Sequence, residues 1–297
     1  MTMTAAGPRL SVILITFDEE ERLPACLASV HGLADEIVVV DTGSRDRTVE
    51  IAERAGARVE RIAHSEFRGH GISKQRALDL ATGAWVLLLD ADERLTPQLA
   101  GEIRTLLAGQ PEMDGYWIRR DVYYLGKRMR WGGLGHDWVI RLFRRDRGWC
   151  TPDLVHTTVK VQGPTARLAN AMEHHTVRTV PEHLVKVERY GSVRTAGFAA
   201  RGRAYRATDW LRMPVEFVLR AFVRLGVLDG TRGIVWATIS AYEKWLRYAM
   251  LINRPPDPPG PGLPGGNSPA RFAASRGTDL FPQGFRPQGR DSGRPGR

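Results

Sequence analysis

Acidic side chains follow three apolar runs in the first third of the chain. The run "AWVLLL" ends in Asp90 and Asp92, "EIVVV" ends in Asp41, and "SVILIT" ends in "FDEE", which contains Asp18 and Glu20. Such carboxylates can bind a hard divalent cation or act as a general base. The same acids could instead only favour the N-terminus of a following helix, because negative charge there complements the helix dipole.

Alternating strand and helix patterns position these acids. Apolar runs predict strands at "RLSVILITF", "DEIVVVD", "ARVERI" and "AWVLLL", and helical periodicity predicts helices in "DEEERLPACLASV", "SRDRTVEIAERAG" and "GISKQRALDLATG". Ser44 or Asp46 is expected to cap the second helix, and Gly83 to end the third. The alternation is typical of an α/β fold, a mainly parallel sheet with helices on both faces. Ligands bind beyond the carboxyl ends of such strands, so we expect the acids to meet at one ligand-binding edge.

The charge of the chain favours an anionic partner. The 297 residues carry a net charge of +10, which suits nucleic acid, a membrane surface or a phosphorylated substrate. Nucleic acid is not expected, because a nucleic-acid-binding protein needs a basic ligand edge and this edge is acidic. The N-terminus lacks the pattern of a signal peptide, which favours the cytoplasm, and Cys26 and Cys150 are expected to be reduced thiols.

Composition divides the chain into three segments. Residues 1–179 are predicted to form the α/β domain, and residues 180–254 three helices rich in Arg and aromatic residues. Their longest uncharged stretch, Gly233 to Tyr242, has ten residues, against roughly 20 for a transmembrane helix. These helices would lie on an anionic membrane surface or pack on the α/β domain. Residues 255–297, with 10 of the 18 prolines, are predicted to be disordered.

Several motifs together resemble one enzyme family. The segments "TFDEEERL", "VVVDTGSRDRT", "DADE", "WVIRLFRR", "DLVHTTV" and "LDGTRGIVWATISAYEKWLRYAML" resemble the family 2 glycosyltransferases, which have the GT-A fold and use a nucleotide-diphosphate sugar. The similarity covers about Leu10 to Asn253 and is greatest to the branch of lipopolysaccharide-core β-glucosyltransferases. It implies an inverting transfer, from a UDP-sugar above all, to a glycan or a lipid-linked acceptor of the cell envelope. Such an enzyme would be cytoplasmic and peripheral on the inner face of the cell membrane.

The resemblance also implies roles at the donor side of the site. Asp92 would bind Mg²⁺ or Mn²⁺. His156 would complete the metal site or contact phosphate, although it could equally be a structural histidine. Asp90 would lie near the ribose or reach the ion through water. Asp41 would help to hold the nucleoside, and Lys74 would meet a phosphate, although Lys74 could equally be a solvated helix lysine.

The first loop and a later glycine-rich segment receive the remaining roles. Thr16, Asp18 and Glu20 belong to the loop that would form a wall of the base pocket. Asp137, which precedes the apolar run "WVIRLF", is the candidate base that takes the proton of the acceptor hydroxyl. His136 beside it is the alternative base, or a solvated loop histidine.

Two further interpretations remain open. The tripeptide "EHH" at 173–175 resembles a metal cluster, but adjacent side chains on a strand point to opposite faces, so joint chelation is not expected. A sugar nucleotidyltransferase would share a related α/β core, but it usually begins with a glycine-rich basic phosphate loop, where this chain has "TFDEEERLP". A non-catalytic relative that only binds the nucleotide-sugar is the other alternative.

Overall fold

Parallel strands joined by helices form the first third of the molecule. The computed structural model describes residues 9–109, 111–135, 137–152, 158–199 and 202–252. The first elements are β1 (Leu10–Thr16), α1 (Leu23–Val30), β2 (Glu36–Asp41), α2 (Thr48–Arg54), β3 (Arg58–Arg61), α3 (His70–Leu80) and β4 (Trp85–Asp90). The four strands are parallel, in the order β3-β2-β1-β4. The strands and helices predicted in this region are confirmed.

The second part of the sheet reverses direction and curls. It comprises β5 (Glu93–Leu95), α4 (Pro97–Ala108), β6 (Gly115–Tyr124), β7 (Lys127–Arg128), β8 (Asp137–Arg144), β9 (Gly148–Cys150), β10 (Val159–Val161) and β11 (Thr165–Val177). The order continues β4-β8-β6-β11-β5, with β8 antiparallel to both neighbours. Although β5 follows β4 in the chain, it pairs with β11 at the far end of this order. The sheet therefore curls until β11 lies beside the end of β4.

Two apolar cores cover the two faces of the sheet. Along β4, Trp85, Leu87 and Leu89 point into the core that α1, α2 and α4 share. Val86 and Leu88 point into the opposite core, which contains residues of α3. This alternation with period two explains why the whole strand is apolar. The predicted α/β class with helices on both faces is confirmed.

The capping prediction for α2 is wrong in position. The helix begins at Thr48, and Arg47 occupies the N-cap position without a side-chain cap. Asp46 precedes that position, and its Oδ1 accepts a hydrogen bond from the N–H of Thr48 at 2.9 Å. Ser44 instead donates its hydroxyl to Asp41, because it belongs to the loop that follows β2.

Gly83 does not end α3, which stops at Leu80. A Cβ atom at Gly83 would lie 2.7 Å from the carbonyl oxygen of Arg9 and from the hydroxyl of Ser11. The position therefore needs glycine because the chain passes closely against the start of β1.

A helical segment follows β11. It contains α5 (Val180–Ala199), α6 (Arg212–Val218) with a π-helical continuation at Leu219–Val223, and α7 (Thr231–Ala249). The predicted C-terminal helical segment is thus confirmed. No helix among the described residues combines the length and the hydropathy needed to cross a membrane. The tail predicted to be disordered, residues 255–297, lies outside the described residues, as do His136 and His156.

Candidate active site

The ends of three parallel strands meet at one edge of the sheet. Thr16 of β1 is in register with Asp41 of β2, and Ile15 of β1 is in register with Asp90 of β4. The first loop, the loop after β2 and the Asp90–Glu93 turn therefore adjoin one another. Sequence reasoning expected this juxtaposition.

Asp41 organises the loop after β2 from a fully buried position. Its Oδ1 accepts hydrogen bonds from the backbone N–H groups of Gly43 at 3.1 Å and Ser44 at 2.9 Å. Its Oδ2 accepts from the hydroxyls of Thr16 at 3.0 Å and Ser44 at 2.5 Å. Both oxygens are engaged within the protein, so Asp41, together with Thr16, fixes the conformation of the loop after β2.

Asp18 and Glu20 join the first loop to the loop after β2. Asp18 is exposed, and its backbone lies in the left-handed region with φ of 52°. Its carboxylate accepts a hydrogen bond from the N–H of Arg45 at 2.8 Å, and its own N–H donates to Ser44 Oγ at 2.9 Å. Glu20 accepts from the backbone N–H of Arg47 at 3.2 Å. The two loops thus form one wall.

Asp90 lies between two cations. Lys74 Nζ is 2.6 Å from Oδ1, and Arg141 Nη2 is 2.5 Å from Oδ2. Burial acts to raise the pKa of Asp90, but Arg141 and Lys74 outweigh it and hold that pKa well below its usual range. Lys74 is itself almost buried. It is therefore not a solvated lysine.

Glu93 extends this ion pairing towards Asp137. Glu93 is fully buried, and its Oε1 lies 2.6 Å from Arg141 Nη2 and 3.1 Å from Arg120 Nη1. Arg120 in turn contacts Asp137 Oδ2 through Nε at 2.8 Å and Nη2 at 2.5 Å. A continuous row of alternating charges results, which we call the charge row: Lys74, Asp90, Arg141, Glu93, Arg120 and Asp137.

Sequence reasoning missed the middle of the charge row. Arg141 interrupts the apolar run "WVIRLF", and a charge at a buried strand position was the available signal. Glu93 was not singled out because it belongs to a group of neighbouring acids. Arg120 was not singled out because the sequence does not show which strand pairs with its own. Their meeting depends on the pairing of β6 with β8, which joins Arg120 to Asp137 in register.

Asp92 faces His174 across the closure of the curled sheet. His174 of β11 pairs in register with Glu93 of β5, and its Nε2 lies 3.4 Å from Asp92 Oδ2. Burial acts to raise the pKa of Asp92, but the interaction with His174 outweighs it and lowers that pKa. The neighbouring His175 instead contacts Glu173 at 2.8 Å and stacks on Tyr123. His174 therefore lies beside Asp92, a position that the alternation argument did not identify.

Among the described acids of this edge, Asp92 is the one whose carboxylate could bind a divalent cation. Mg²⁺ is usually bound by one or two carboxylates together with substrate phosphates. Asp92 is one-fifth exposed and, among the described residues, its carboxylate has one hydrogen-bonding partner, His174. Both oxygens of Asp90 are taken by cations. The described residues contain no group of three or more His, Cys, Asp or Glu that could hold an ion, so Asp92 would need ligands from the donor.

A cavity opens beside the Asp137 end of the charge row. It has a volume of about 230 Å³, and its lining includes Arg120, Arg128, Arg130, Trp131 and Leu134. Asp137 itself is about one-third exposed. Guanidinium groups beside an indole suit a polar ring that carries hydroxyl or anionic substituents.

Comparison with known proteins supports the resemblance inferred from the motifs. A TPR repeat-containing protein of Synechococcus elongatus is 41% identical over 145 residues, which cover 48% of this chain and 34% of that protein. The lipopolysaccharide core biosynthesis glycosyltransferase LpsC of Rhizobium meliloti is 27% identical over 81% of this chain and 93% of its own. An uncharacterized glycosyltransferase of Rickettsia bellii is 37% identical over 82% of this chain and 86% of its own.

A solved structure and a family model match this chain, and the family model shows its family. The crystal structure of S. aureus TarS 1-349 matches with a TM-score of 0.43 and 16% identity, over 82% of this chain and 91% of that one. The family model described as glycosyl transferase family 2 matches residues 11–160, which is half of the chain and contains the whole charge row. The chain therefore belongs to glycosyl transferase family 2.

Proposed function

We propose that this protein is an inverting glycosyltransferase that moves a sugar from a UDP-sugar to a glycan or a lipid-linked acceptor. The observation that carries the proposal is the charge row, which connects the acidic edge at Asp90 with the exposed carboxylate of Asp137. An enzyme that joins a donor and an acceptor needs both ends held in fixed relation. The name of the relative LpsC supports an acceptor of the cell envelope.

The donor would bind where the loops of Thr16–Glu20 and 42–48 form a wall. Asp41 and Thr16 keep the wall in shape, and Asp18 and Glu20 brace it from the rim. Lys74 is buried at the same edge and paired with Asp90. The diphosphate of a bound donor would give Lys74 a second anionic partner, which agrees with the proposal that Lys74 contacts a phosphate.

The divalent cation, Mg²⁺ or Mn²⁺, would be held by Asp92, with phosphate oxygens of the donor as further ligands. A bound cation would neutralise the negative charge that grows on the leaving diphosphate. Asp90 would act from beside it, close to the ribose, with its orientation fixed by Lys74 and Arg141. His156 remains a candidate metal or phosphate ligand.

Asp137 would accept the proton of the acceptor hydroxyl. Arg120 contacts Oδ2 of this carboxylate through two donors. Within the described residues no hydrogen bond to Oδ1 occurs, so the hydroxyl would approach that oxygen. A base in direct contact with the hydroxyl suits inversion, in which the acceptor attacks in a single displacement. The acceptor would occupy the cavity lined by Arg128, Arg130 and Trp131. If it is lipid-linked, the enzyme acts as a cytoplasmic protein that is peripheral on the inner face of the cell membrane.

A donor panel with a metal-site variant tests the proposal. Thermal shift and donor hydrolysis are measured with UDP-, GDP-, ADP- and dTDP-sugars, with and without Mn²⁺. We expect a UDP-sugar to raise the melting temperature more when Mn²⁺ is present. Asp92→Asn should remove this metal dependence and sugar transfer, because the amide has the size of the carboxylate but lacks its charge.

Asp146→Asn is the matched control, since Asp146 is exposed and lies on the turn between β8 and β9. It should keep the donor response of the natural protein. Full transfer by Asp92→Asn would exclude the metal role of Asp92. A panel in which no nucleotide-sugar is bound or hydrolysed would contradict the function itself.

A further inference from the structure

An apolar stripe lies on the outside of α6. The stripe consists of Leu211, which precedes α6, Val215 and Val218 within it, and Phe222 in its π-helical continuation. Their spacings of four, three and four residues are typical of one helical face. All four are exposed, Val215 at 64% and Phe222 at 56%. A helix of a water-soluble domain normally turns such a stripe towards the core. In α6 the stripe points away from the protein.

The inner face of the same helix is charged. Glu216 Oε1 lies 2.7 Å from Arg220 Nε, and both side chains are largely covered. Arg220 also donates a hydrogen bond from Nη1 to the carbonyl of Gly132 at 3.1 Å. The amphipathic pattern of α6 is therefore inverted, with polar contacts towards the protein and apolar side chains towards the outside.

The stripe belongs to a larger exposed surface. Nine of the sixteen large apolar side chains exposed among the described residues lie between Trp210 and Leu228. We call this set the apolar surface; it comprises Trp210, Leu211, Met213, Val215, Val218, Phe222, Val223, Leu225 and Leu228. A contiguous patch of this kind marks an interaction site more often than chance exposure.

Charges around the apolar surface are sorted by sign. Its acids are turned inwards: Asp209 and Asp229 are buried. Asp209 accepts from Arg203 at 2.7 Å and from Arg212 at 2.8 Å. In contrast, Arg206, Arg224 and Arg232 are exposed. The outside of the segment therefore presents apolar and cationic groups together.

We infer that the apolar surface docks on the interface of an anionic phospholipid bilayer. Apolar side chains beside arginines suit this partner, because the acyl region receives the former and anionic headgroups attract the latter. A second copy of this chain would bring the exposed arginines against each other. The inference concerns binding alone and goes beyond the proposed transfer reaction.

The apolar surface is fixed to the acceptor side of the site. Asp229 accepts hydrogen bonds from the backbone N–H groups of Arg130 at 3.1 Å and Trp131 at 2.9 Å. The N–H of Gly132 donates to the carbonyl of Arg224 at 2.8 Å. Arg130 and Trp131 also line the cavity beside Arg120. Docking would thus hold that cavity close to the lipid headgroups.

Vesicle sedimentation of the full chain tests the inference. Vesicles of phosphatidylcholine with phosphatidylglycerol are compared with phosphatidylcholine alone, at low and high salt. We expect preferential binding to the anionic vesicles, weakened by salt because salt screens the headgroup charge. Val215→Ser with Phe222→Ser should weaken binding roughly tenfold or more, since the two apolar side chains that would enter the bilayer are lost. Arg206→Gln with Arg224→Gln should abolish most of the preference for anionic lipid.

Matched controls change the same chemistry elsewhere. Ile72→Ser with Val185→Ser removes exposed apolar groups outside the apolar surface, and Arg54→Gln with Arg104→Gln removes the same charge from α2 and α4. Both should bind like the natural protein, and circular dichroism should show that all variants are folded. Equal binding by the surface variants and their controls would overturn the inference. The inference would also be overturned if the natural protein bound no vesicles but formed a dimer, and if the serine variant were monomeric.

Discussion

The sheet edge and the helical segment differ in which side chains they bury and which they expose. At the edge, Glu93 and Arg141 are almost completely buried although both are charged. In the helical segment, Val215 and Phe222 are exposed although both are apolar. Each arrangement runs against the usual preference, and each lies where the protein is expected to meet another molecule.

The difference shows what each region must do. Buried charges are stable only when partners compensate the loss of hydration, and the charge row supplies a partner on each side. Such pairing fixes the orientation of each charged side chain, and catalysis needs side chains of fixed orientation. Exposed apolar groups need no partner of defined direction, which suits attachment to a fluid surface. We therefore expect substitutions at the edge to lower the free energy of unfolding strongly. Substitutions on the apolar surface should change it little in solution.

The largest effect is expected at the acceptor end of the charge row. Asp137→Asn should lower the transfer rate by about 10² to 10⁴, the usual effect of losing a general base, and leave UDP-sugar binding nearly unchanged. The low-pH limb of the rate profile should flatten, because that limb reports the ionisation of the base. Initial rates across a pH series and donor titration provide the measurement.

His136→Ala is the control for Asp137→Asn, because it removes the neighbouring titratable group. If the histidine variant loses the rate and Asp137→Asn keeps it, the two roles are reversed. A collapse of donor affinity in Asp137→Asn would instead move Asp137 to the donor site.

A second prediction compares the two regions directly. Glu93→Gln leaves Arg141 and Arg120 facing an uncharged side chain inside the protein, and breaking a buried ion pair costs roughly 3 to 5 kcal/mol. Val215→Ser, on the apolar surface, should change the free energy of unfolding by no more than about 0.5 kcal/mol. Urea unfolding of both variants measures the difference. An equal loss of unfolding free energy in the two variants would contradict the expected difference between the regions.

A smaller, pH-dependent effect is expected where the two regions join. His183 of α5 is buried, lies 2.9 Å from the hydroxyl of Tyr124 and stacks on Trp236. Burial, with a contribution from Lys186, lowers the pKa of His183 from 6.5 to about 4. Below pH 6.5 the unfolded chain therefore binds a proton that the folded protein excludes until about pH 4. Stability should fall through this window by roughly 3 kcal/mol.

His183→Gln should remove this contribution, so its unfolding free energy should depend less on pH than that of the natural protein. Identical slopes for the natural protein and His183→Gln would show that the join is not sensitive to protonation of this residue.

Much of the edge was predictable because strand periodicity is a local property. The apolar runs predicted β1 to β4, and parallel order then placed Asp41 and Asp90 at one edge. His174 was not predicted, since its position beside Asp92 depends on β11 pairing with β5, about 80 residues away in the chain. For α6 the sequence left membrane contact and packing on the α/β domain both open, because periodicity locates an apolar face without stating what covers it.

The sequence by itself determined the α/β class, the order of the first elements, the acids at the strand ends and the family. These features follow from short-range patterns, which depend on backbone periods of 2 and 3.6 residues. Only the tertiary structure decided that Arg141, Glu93 and Arg120 connect Asp90 with Asp137, and that α6 turns Val215 outwards. Both depend on which distant segments pair and pack, and the local pattern leaves that choice open because many partners satisfy the same period.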